Sequence, residues 1–268
     1  MSKLSVLMTV YNEAEFVEYA IRSCLPHVDH LVIVEGAYQE TIALGANPRS
    51  TDFTIEKIED FNGLYYDDPE MPKHNKKITY IEANEQSDKD QRNVGLEKIK
   101  ELNPNGWCLI IDGDEVYTKE NFDMIKVAMK NFQRSRKYAA YFKSLTFVND
   151  MKHFTEQDFP RLFRITPKCT FVNDNHMAWP DAQVTWSQAY VLRIPYIRYH
   201  HYAFCKGLER FELKKKWWES RFKEPFNYGW QADDKGVISD PNHEVFEYTG
   251  SHPSIIQSHP EWKKSYET

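Results

Sequence analysis

The stretch Trp107-Cys108-Leu109-Ile110-Ile111-Asp112-Gly113-Asp114-Glu115 decides how the rest of the chain is interpreted. Five apolar residues without a breaker indicate a buried β-strand, because the run is too short to favour a helix. Three carboxylates follow directly, and Gly113 among them allows the backbone to come close to a ligand. Residues i and i+2 of an extended chain point to the same side, so Asp112 and Asp114 are expected to face one shared ion.

Carboxylates at the end of a buried strand are unfavourable, because removing a charge from water costs several kcal/mol. A divalent cation would offset this cost, and Mg²⁺ and Mn²⁺ are ions that carboxylate oxygens bind. Ligands of open α/β sheets bind beyond the carboxyl ends of the strands, which is where Asp112 and Asp114 fall. We therefore predict a metal site at this pair. An acidic turn that merely ends a strand is the alternative.

The first half of the chain alternates between strand and helix patterns. Apolar runs predict three more strands, at Leu4–Val10, His30–Val34 and Ile78–Ile81. Helical patterns lie between them, at Glu13–Leu25 with Asn12 as N-cap, from Ser50 or Asp52 toward Phe61, and from Ser87 to about Leu102. This alternation predicts a mostly parallel sheet flanked by helices. No Gly-x-Gly-x-x-Gly and no Walker lysine loop occurs, which argues against dehydrogenases and P-loop enzymes.

The pattern of the second half changes after a helix predicted at Thr118–Gln133. Alternating and aromatic runs predict antiparallel or mixed strands, at Tyr138–Val148, Arg161–Ile165, Cys169–Val172 and Tyr190–Phe204. A further helix is predicted at Gly207–Phe222. After Glu224 the chain is rich in Pro, His, Asn and Trp without a clear period, so we interpret it as a wrapping extension.

The composition is typical of a globular protein, with 41% hydrophobic and 28% charged residues in a chain of 268. The formal net charge of −6 argues against nucleic acid as a partner. No apolar run reaches the length of a membrane-spanning helix. The four cysteines lack zinc-like or redox spacing, so we expect reduced core thiols and a cytoplasmic location, with peripheral attachment to a membrane left open.

Five motifs follow one another in a familiar order. They are Val6-Leu7-Met8-Thr9-Val10-Tyr11-Asn12-Glu13, an acidic strand end at Glu35, Ser50-Thr51-Asp52-x-Thr54, Gln91-Arg92-Asn93-x-Gly95-Leu96 and Ile111-Asp112-Gly113-Asp114-Glu115. Together they resemble a family-2 glycosyltransferase of the GT-A fold, which depends on a nucleotide sugar. The resemblance implies an α/β, Rossmann-like fold with a mostly parallel sheet. Its nucleotide-sugar-binding half would be residues 1–117 and its mixed-sheet acceptor half residues 118–223, ending in a helix, with an irregular extension at 224–268.

The resemblance also implies roles for residues near the nucleotide. Thr9, Tyr11 and Glu13 lie where the family holds the nucleobase. Glu35 takes the position of an aspartate that contacts the base or ribose, and Arg92 that of a basic residue near the nucleotide. The expected donor is a nucleoside-diphosphate sugar, with UDP favoured. The expected reaction is transfer of a hexosyl or pentosyl group to an acceptor hydroxyl with inversion.

The resemblance places the metal at the same acidic pair. Asp112 would contact ribose or metal, and Asp114 would bind the Mg²⁺ or Mn²⁺ that bridges the diphosphate. GT-A enzymes often add a late histidine as a ligand, for which His200 and His201 are candidates. Adjacent strand residues face opposite sides, so only one of the two can point into the site, and we favour His200.

An inverting transfer needs a carboxylate that accepts the proton of the attacking hydroxyl. Candidates are Glu156, Asp158, Asp174 and Asp181, and Asp174 is favoured because it follows the strand of Arg161. The usual catalytic acidic pair before a helix is not evident. The segment 36–49 is an apparent insertion between the acidic strand end and Ser50.

Two other functions stay open at this point. A metal-dependent phosphoesterase would use Asp112, Asp114 and a histidine. A non-catalytic protein could bind the nucleotide sugar without transferring it. The acceptor is also open among glycan, lipid-linked sugar, protein and modified base.

Overall fold

The computed structural model describes residues 2–61, 77–183, 186, 190–222 and 230–267, the last two of 190–222 by their backbone only. Strands β1 to β13 span Leu4–Val10, His30–Glu35, Ile78–Glu82, Trp107–Ile110, Glu115–Val116, Ala139–Val148, His153–Arg164, Thr170–Phe171, Met177–Ala178, Val191–Phe204, Gln231–Ala232, Ile238–Ser239 and Phe246–Glu247. Helices α1 to α7 span Val17–Cys24, Gln39–Ile42, Thr54–Phe61, Asp88–Leu102, Lys119–Ser135, Gly207–Phe222 and Pro260–Tyr266. The predicted α/β class is confirmed.

Two compact units make up the chain. The first comprises residues 1–143 and 158–199, and the second comprises residues 144–157 and 200–268. The division into 1–117, 118–223 and 224–268 stays a prediction, and the boundary at residue 223 lies outside the described residues.

Parallel strands form the part of the sheet that carries the candidate site. The strand order is β3-β2-β1-β4-β7-β6-β10-β5, with β13 paired to β7. Strand β1 pairs in parallel with β2 and β4, β2 pairs in parallel with β3, and β7 is antiparallel to β4, so the sheet is mixed as predicted. The chain returns from β3 through α4 to β4, so the strand order reverses between β1 and β4. Ligands of open α/β sheets bind at such a reversal.

The parallel strands are covered on both faces. Val6 and Met8 of β1 belong to one core together with Phe122 of α5, whereas Leu7 belongs to a second core with Leu96 of α4. Alternate residues of a strand point to opposite faces, so a continuous apolar run fits a strand that is buried on both sides.

Gly95 allows helix α4 to lie close to the sheet. A Cβ atom at this position would come within 2.2 Å of Leu7 Cδ1 and 2.9 Å of Val34 Cγ2. The same helix is held at its N-terminal end by Gln91, whose Nε2 donates a hydrogen bond to the carbonyl of Gly36 (2.8 Å). The motif Gln91-Arg92-Asn93-x-Gly95 therefore fixes the helix against β1 and β2 and holds Arg92 near their carboxyl ends.

The predicted helix start at Asn12 is wrong. Asn12 has a φ of 52°, in the left-handed region, and α1 begins only at Val17. Side chains of the Ser50–Thr54 motif accept hydrogen bonds from three successive backbone N–H groups of this turn. The bonds run from Asn12 to Ser50 (2.8 Å), from Glu13 to Thr54 (2.6 Å) and from Ala14 to Asp52 (3.0 Å). These contacts, which are distant in sequence, fix the turn after β1 in place of a helix cap.

Most other predicted elements are confirmed within a few residues. Ser87 is the N-cap of α4, Thr118 caps α5 in a capping box with Asn121, and α6 has the predicted bounds. Strand β7 begins at His153 rather than at Arg161. The described part of the C-terminal tail is less irregular than predicted, because it forms β11 to β13 and α7. All four cysteines are free and buried, as expected.

The second unit has its own apolar core around Phe204, Phe211 and Trp230. Across the described residues of the whole chain, none of the helices is both long and apolar enough to cross a membrane.

Candidate functional site

A buried network of ion pairs lies at the carboxyl end of β4. The Arg92 guanidinium pairs with Asp88 (2.9 Å) and with Asp112 Oδ1 (3.2 Å). The Arg161 guanidinium pairs with Asp112 Oδ2 (3.0 Å) and with Glu115. Asp112 therefore bridges two arginines through its two oxygens. The Arg161 and Glu115 side chains are 3% and 0% exposed, so these charges lie almost completely out of water.

Four different elements supply this network. Asp88 and Arg92 lie on the first turns of α4, Asp112 follows β4, Glu115 lies on β5 and Arg161 lies on β7. The counter-charge that the sequence argument assigned to a cation is thus provided at Asp112 by two guanidinium groups. Arginine is suited to this role because its planar group stays charged and pairs with carboxylates through several N–H donors.

Asp88 is a site residue that the sequence argument missed. Its carboxylate accepts hydrogen bonds from the hydroxyls of Tyr38 (2.9 Å) and Thr9 (3.5 Å). The pKa of Asp88 is raised, because the effect of burial exceeds the lowering by the charge of Arg92. The charge of Asp174 raises this pKa further. Asp174 therefore lies within electrostatic range of the network. The sequence signal was an aspartate four residues before Arg92, on one helix face.

Tyr38 brings the apparent insertion 36–49 into the same site. Burial and the neighbouring Asp88 carboxylate raise the pKa of Tyr38 well above its usual value, so its hydroxyl stays protonated and donates. The base of the insertion is closed by Asn84, whose Nδ2 donates to the carbonyls of Ala37 (2.9 Å) and Pro48 (2.6 Å). The insertion is therefore held in place where it meets the sheet.

The turns after β1 and β4 touch each other. A Cβ atom at Gly113 would lie 3.1 Å from both Glu13 Cγ and Val10 Cγ1. The structure thus brings the predicted nucleobase side, with half-buried Tyr11 and Glu13, next to the predicted metal pair. Asp114 is 5% exposed.

Glu35 is bonded to its own chain. Its fully buried carboxylate pairs with Arg49 and accepts hydrogen bonds from the Ser50 N–H (2.8 Å) and the Tyr80 hydroxyl (3.4 Å). These contacts attach the end of the insertion 36–49 to β2 and β3. Contact of Glu35 with a base or ribose stays a prediction, and a ligand would have to share this carboxylate with those partners.

Two of the four candidate bases, Asp158 and Asp181, have partners outside the network. Asp158 pairs with Lys143 (3.4 Å) and Arg193. Asp181 accepts a hydrogen bond from the Thr166 hydroxyl (2.8 Å). Their roles as bases stay predictions. Of the candidates, Asp174 is the one whose charge acts on the pKa of Asp88.

The two candidate histidines lie in the second unit and have different surroundings. His200 is buried, its ring stacks on Phe147 at 5.7 Å, and its Nε2 lies 2.7 Å from the Tyr248 hydroxyl. His201 Nδ1 lies 3.4 Å from the Thr146 hydroxyl. The different partners fit the expected alternation along a strand. Within the described residues, no three His, Cys, Asp or Glu side chains form a group that could hold a metal, so the metal site stays a prediction.

No family model and no curated protein matches the chain. Among solved structures, the chain is similar to S. aureus TarS 1–349 in complex with UDP (TM-score 0.37, 19% identity, 54% of this chain and 36% of that chain). It is also similar to S. aureus TarS 1–349, with a TM-score of 0.44 and 15% identity over 81% of this chain and 65% of that chain. A third match is S. aureus TarS, with a TM-score of 0.43 and 15% identity over 80% of this chain and 39% of that chain. The chain thus spans only part of the length of each matched chain.

Proposed function

We propose that the chain is a glycosyltransferase that moves a sugar from a nucleoside-diphosphate sugar, with UDP favoured, to an acceptor hydroxyl. The observation that supports it best is the convergence of Thr9, Asp88, Arg92 and Asp112 at the strand reversal between β1 and β4. Ligands of open α/β sheets bind at this position. Two further motifs support this position, since the Ser50–Thr54 motif fixes the turn after β1 and the Gln91–Leu96 motif holds Arg92 in place.

Charge balance supports a cation as part of this function. The carboxylates of Asp88, Asp112 and Glu115 belong to the network, and Asp114 lies in the same turn as Asp112. A diphosphate that bound beside these carboxylates would add negative charge, which costs free energy in a buried site. A divalent cation that entered with the diphosphate would offset this charge.

The residues fit a cation that is held jointly with substrate. Magnesium sites commonly use one or two carboxylates together with substrate phosphates, so a three-residue protein cage is not required. Asp114, with Asp112 beside it, would hold Mg²⁺ or Mn²⁺ here. When bound, the ion would supply positive charge for the departing nucleoside diphosphate.

Asp174 is the proposed general base. The charge of Asp174 raises the pKa of Asp88, which supports this assignment, and an inverting transfer needs one carboxylate within hydrogen-bond reach of the attacking hydroxyl. Asp88 and Arg92 then act as positioning residues, because each holds the other and the pair holds Asp112 in a fixed direction.

The alternatives make different demands. A phosphoesterase built on Asp112, Asp114 and a histidine requires three metal ligands together, and no such group occurs within the described residues. A non-catalytic protein would bind the nucleotide sugar but release no nucleotide.

A donor screen tests the proposal. The purified chain is incubated with a panel of UDP-, GDP- and dTDP-sugars with and without Mn²⁺, and nucleotide release is measured by mass spectrometry. We expect slow metal-dependent release from one donor, through hydrolysis or transfer, and its loss in Asp114→Asn. The control Asp123→Asn changes an exposed carboxylate that pairs with Lys119 on α5 and should release nucleotide like the wild type. No release from any donor would overturn the catalytic assignment.

A further inference from the structure

A polar aromatic cluster in the first unit is not part of the donor site. We define it as Asn173, His176, Tyr141 and Trp186. His176 Nε2 lies 3.3 Å from the Tyr141 hydroxyl, and Trp186 Nε1 donates to the same hydroxyl at 3.1 Å. His176 Nδ1 lies 3.0 Å from Asn173 Nδ2. The orientation of the Asn173 amide determines where the hydrogens of these contacts lie.

The orientation of the Asn173 amide is fixed by the backbone. Its Oδ1 accepts hydrogen bonds from the N–H groups of Asn175 (2.9 Å) and His176 (2.8 Å). An amide nitrogen could not accept these two bonds, so the NH₂ group must be the one that faces the His176 ring.

The amide in turn fixes the tautomer of His176. An NH₂ group only donates, so Nδ1 of the ring must accept and its hydrogen must sit on Nε2. Burial lowers the pKa of His176, which favours this neutral form. The Nε2–H group therefore donates to the Tyr141 hydroxyl.

The Tyr141 oxygen thus accepts two hydrogen bonds, one from His176 and one from Trp186. A phenol oxygen has no further acceptor capacity in this arrangement, and its own proton must be donated elsewhere. Among the residues that the structure describes, no acceptor for this proton is found. The cluster therefore ends on an O–H donor directed away from its own members.

The surroundings of this donor are aromatic and half-buried. The rings of Tyr141 and Trp186 meet edge to face at 6.0 Å, and His176 meets Trp186 at 4.4 Å. Asp174 lies two residues before His176 in the same loop. Arg193 covers one face of the Tyr141 ring at 4.8 Å and Trp179 stacks on Trp186 at 5.9 Å, so the rings offer their remaining surfaces. Aromatic surface bordered by hydrogen-bonding groups matches a pyranose, which has an apolar C–H face and hydroxyl oxygens at its edge.

We propose that this cluster binds a sugar ring of the acceptor, with the Tyr141 hydroxyl donating to one of its oxygens. The role of the cluster as an acceptor site rests on the proposed function, since that role depends on Asp174 as the base. Sugar binding by the cluster does not depend on the proposed function, so the sugar site and the donor site can fail separately.

Saturation-transfer NMR with the methyl β-glycosides of glucose, galactose and N-acetylglucosamine measures this binding directly. We expect at least one of them to bind the wild type. Tyr141→Phe should weaken that affinity about fivefold, the effect of one lost hydrogen bond. The matched control is Tyr138→Phe, a hydroxyl on the same strand region whose ring packs on Trp179, and it should bind like the wild type. No binding of any glycoside, or equal affinity in Tyr141→Phe, overturns the proposal.

A second variant reverses the direction of the hydrogen bonds without deleting an atom of Tyr141. Asn173→Asp presents an acceptor to His176 Nδ1, so the hydrogen of neutral His176 moves to Nδ1 and Nε2 accepts from Tyr141. At about pH 8.5, where the imidazole is neutral, glycoside affinity should fall as in Tyr141→Phe. The new carboxylate favours the imidazolium, so protonation below about pH 6 returns a hydrogen to Nε2, and affinity should recover. A purely structural cluster would show no such recovery, and its absence overturns the proposal.

The donor site serves as the internal control for both variants. UDP with Mn²⁺ should raise the melting temperature of both variants as it does for the wild type. Glycoside binding without any UDP effect would leave the sugar site standing and overturn the donor assignment alone.

Discussion

Two regions of this molecule bury ionisable side chains in opposite ways. In the first unit, Arg92 and Arg161 hold Asp112 between them, and Glu115 is paired although it is fully buried. In the second unit, His252 lies among aromatic rings, with Nδ1 2.9 Å from the Tyr202 hydroxyl and Nε2 2.8 Å from the carbonyl of Met151. Burial lowers the pKa of His252 to about 4, although the hydrogen bond to Met151 raises it.

The difference separates a site for charged ligands from a packed core. Charges that are kept ionised in a buried place can be shared with an anionic ligand or its cation. A histidine kept neutral by burial, with both nitrogens bonded inside the protein, contributes to packing. Substitutions that remove charges from the first region and pH changes that act on the second should therefore have different effects.

Removing Arg161 should have the largest effect. Arg161→Met removes the counter-charge that pairs with buried Glu115 and leaves Asp112 paired with Arg92 alone, which should lower the free energy of unfolding by about 3–5 kcal/mol. Urea denaturation measures it. The control Arg193→Met removes an exposed arginine that pairs with Asp158, and its cost should stay within about 1 kcal/mol. Equal losses in both variants would contradict the charge-based account of the first unit.

Replacing the proposed base should reduce turnover strongly without affecting stability. Asp174→Asn should lower the rate of sugar transfer about a hundredfold or more, because a general base contributes on this scale. The control Asp181→Asn alters a carboxylate that is bonded to Thr166, and it should keep its rate. Steady-state kinetics with the donor found in the screen measures both. The assignment fails if Asp174→Asn turns over like the wild type.

The neutral histidine predicts sensitivity to acid. The folded pKa of His252 (about 4) lies below that of an unfolded histidine, so acid protonates the unfolded chain first. The stability that depends on neutral His252 is complete above about pH 6.5 and is lost as the pH falls toward 4, by about 1.4 kcal/mol per pH unit. His252→Gln should therefore lose less melting temperature than the wild type between about pH 7.5 and 5. The control is His153→Gln, at an exposed histidine. Parallel curves for all three proteins would argue against a neutral buried His252.

The smallest effect is expected at Tyr38. Tyr38→Phe removes the hydroxyl bonded to Asp88 and should weaken UDP binding about three- to tenfold, if the insertion 36–49 shapes the donor site. The matched control Tyr80→Phe removes a hydroxyl bonded to Glu35, which lies in the structural attachment of that insertion. We expect Tyr80→Phe to lower the melting temperature while leaving UDP affinity unchanged. UDP affinity is measured by calorimetry. Weaker UDP binding in Tyr80→Phe with unchanged binding in Tyr38→Phe would place Glu35 at the donor site and Asp88 in the structural attachment.

Local patterns predicted the elements well, and long-range pairing limited the prediction of the site. Strand β1 and helix α6 have the predicted bounds, because apolar periodicity and end signals are local properties. The failure at Asn12 came from side chains about forty residues away that bind its turn. The ion pair between Asp112 and Arg161 joins β4 to β7, 49 positions apart, so no local pattern could reveal it.

The metal prediction shows the same limit. The sequence indicated that carboxylates at the end of the buried strand need a counter-charge, but it could not show that Arg92 and Arg161 pair with Asp112. A cation would therefore be needed to offset the charge of a diphosphate that binds beside these carboxylates, rather than the charge of Asp112 alone.

The most direct measurement is the melting temperature of the chain with UDP, with Mn²⁺, and with both. A ligand that binds only the folded state stabilises it by mass action. We predict a clear rise with UDP and Mn²⁺ together, a smaller one with either alone, and no added rise in Asp114→Asn. No shift with any nucleoside diphosphate, with or without metal, would contradict the donor site.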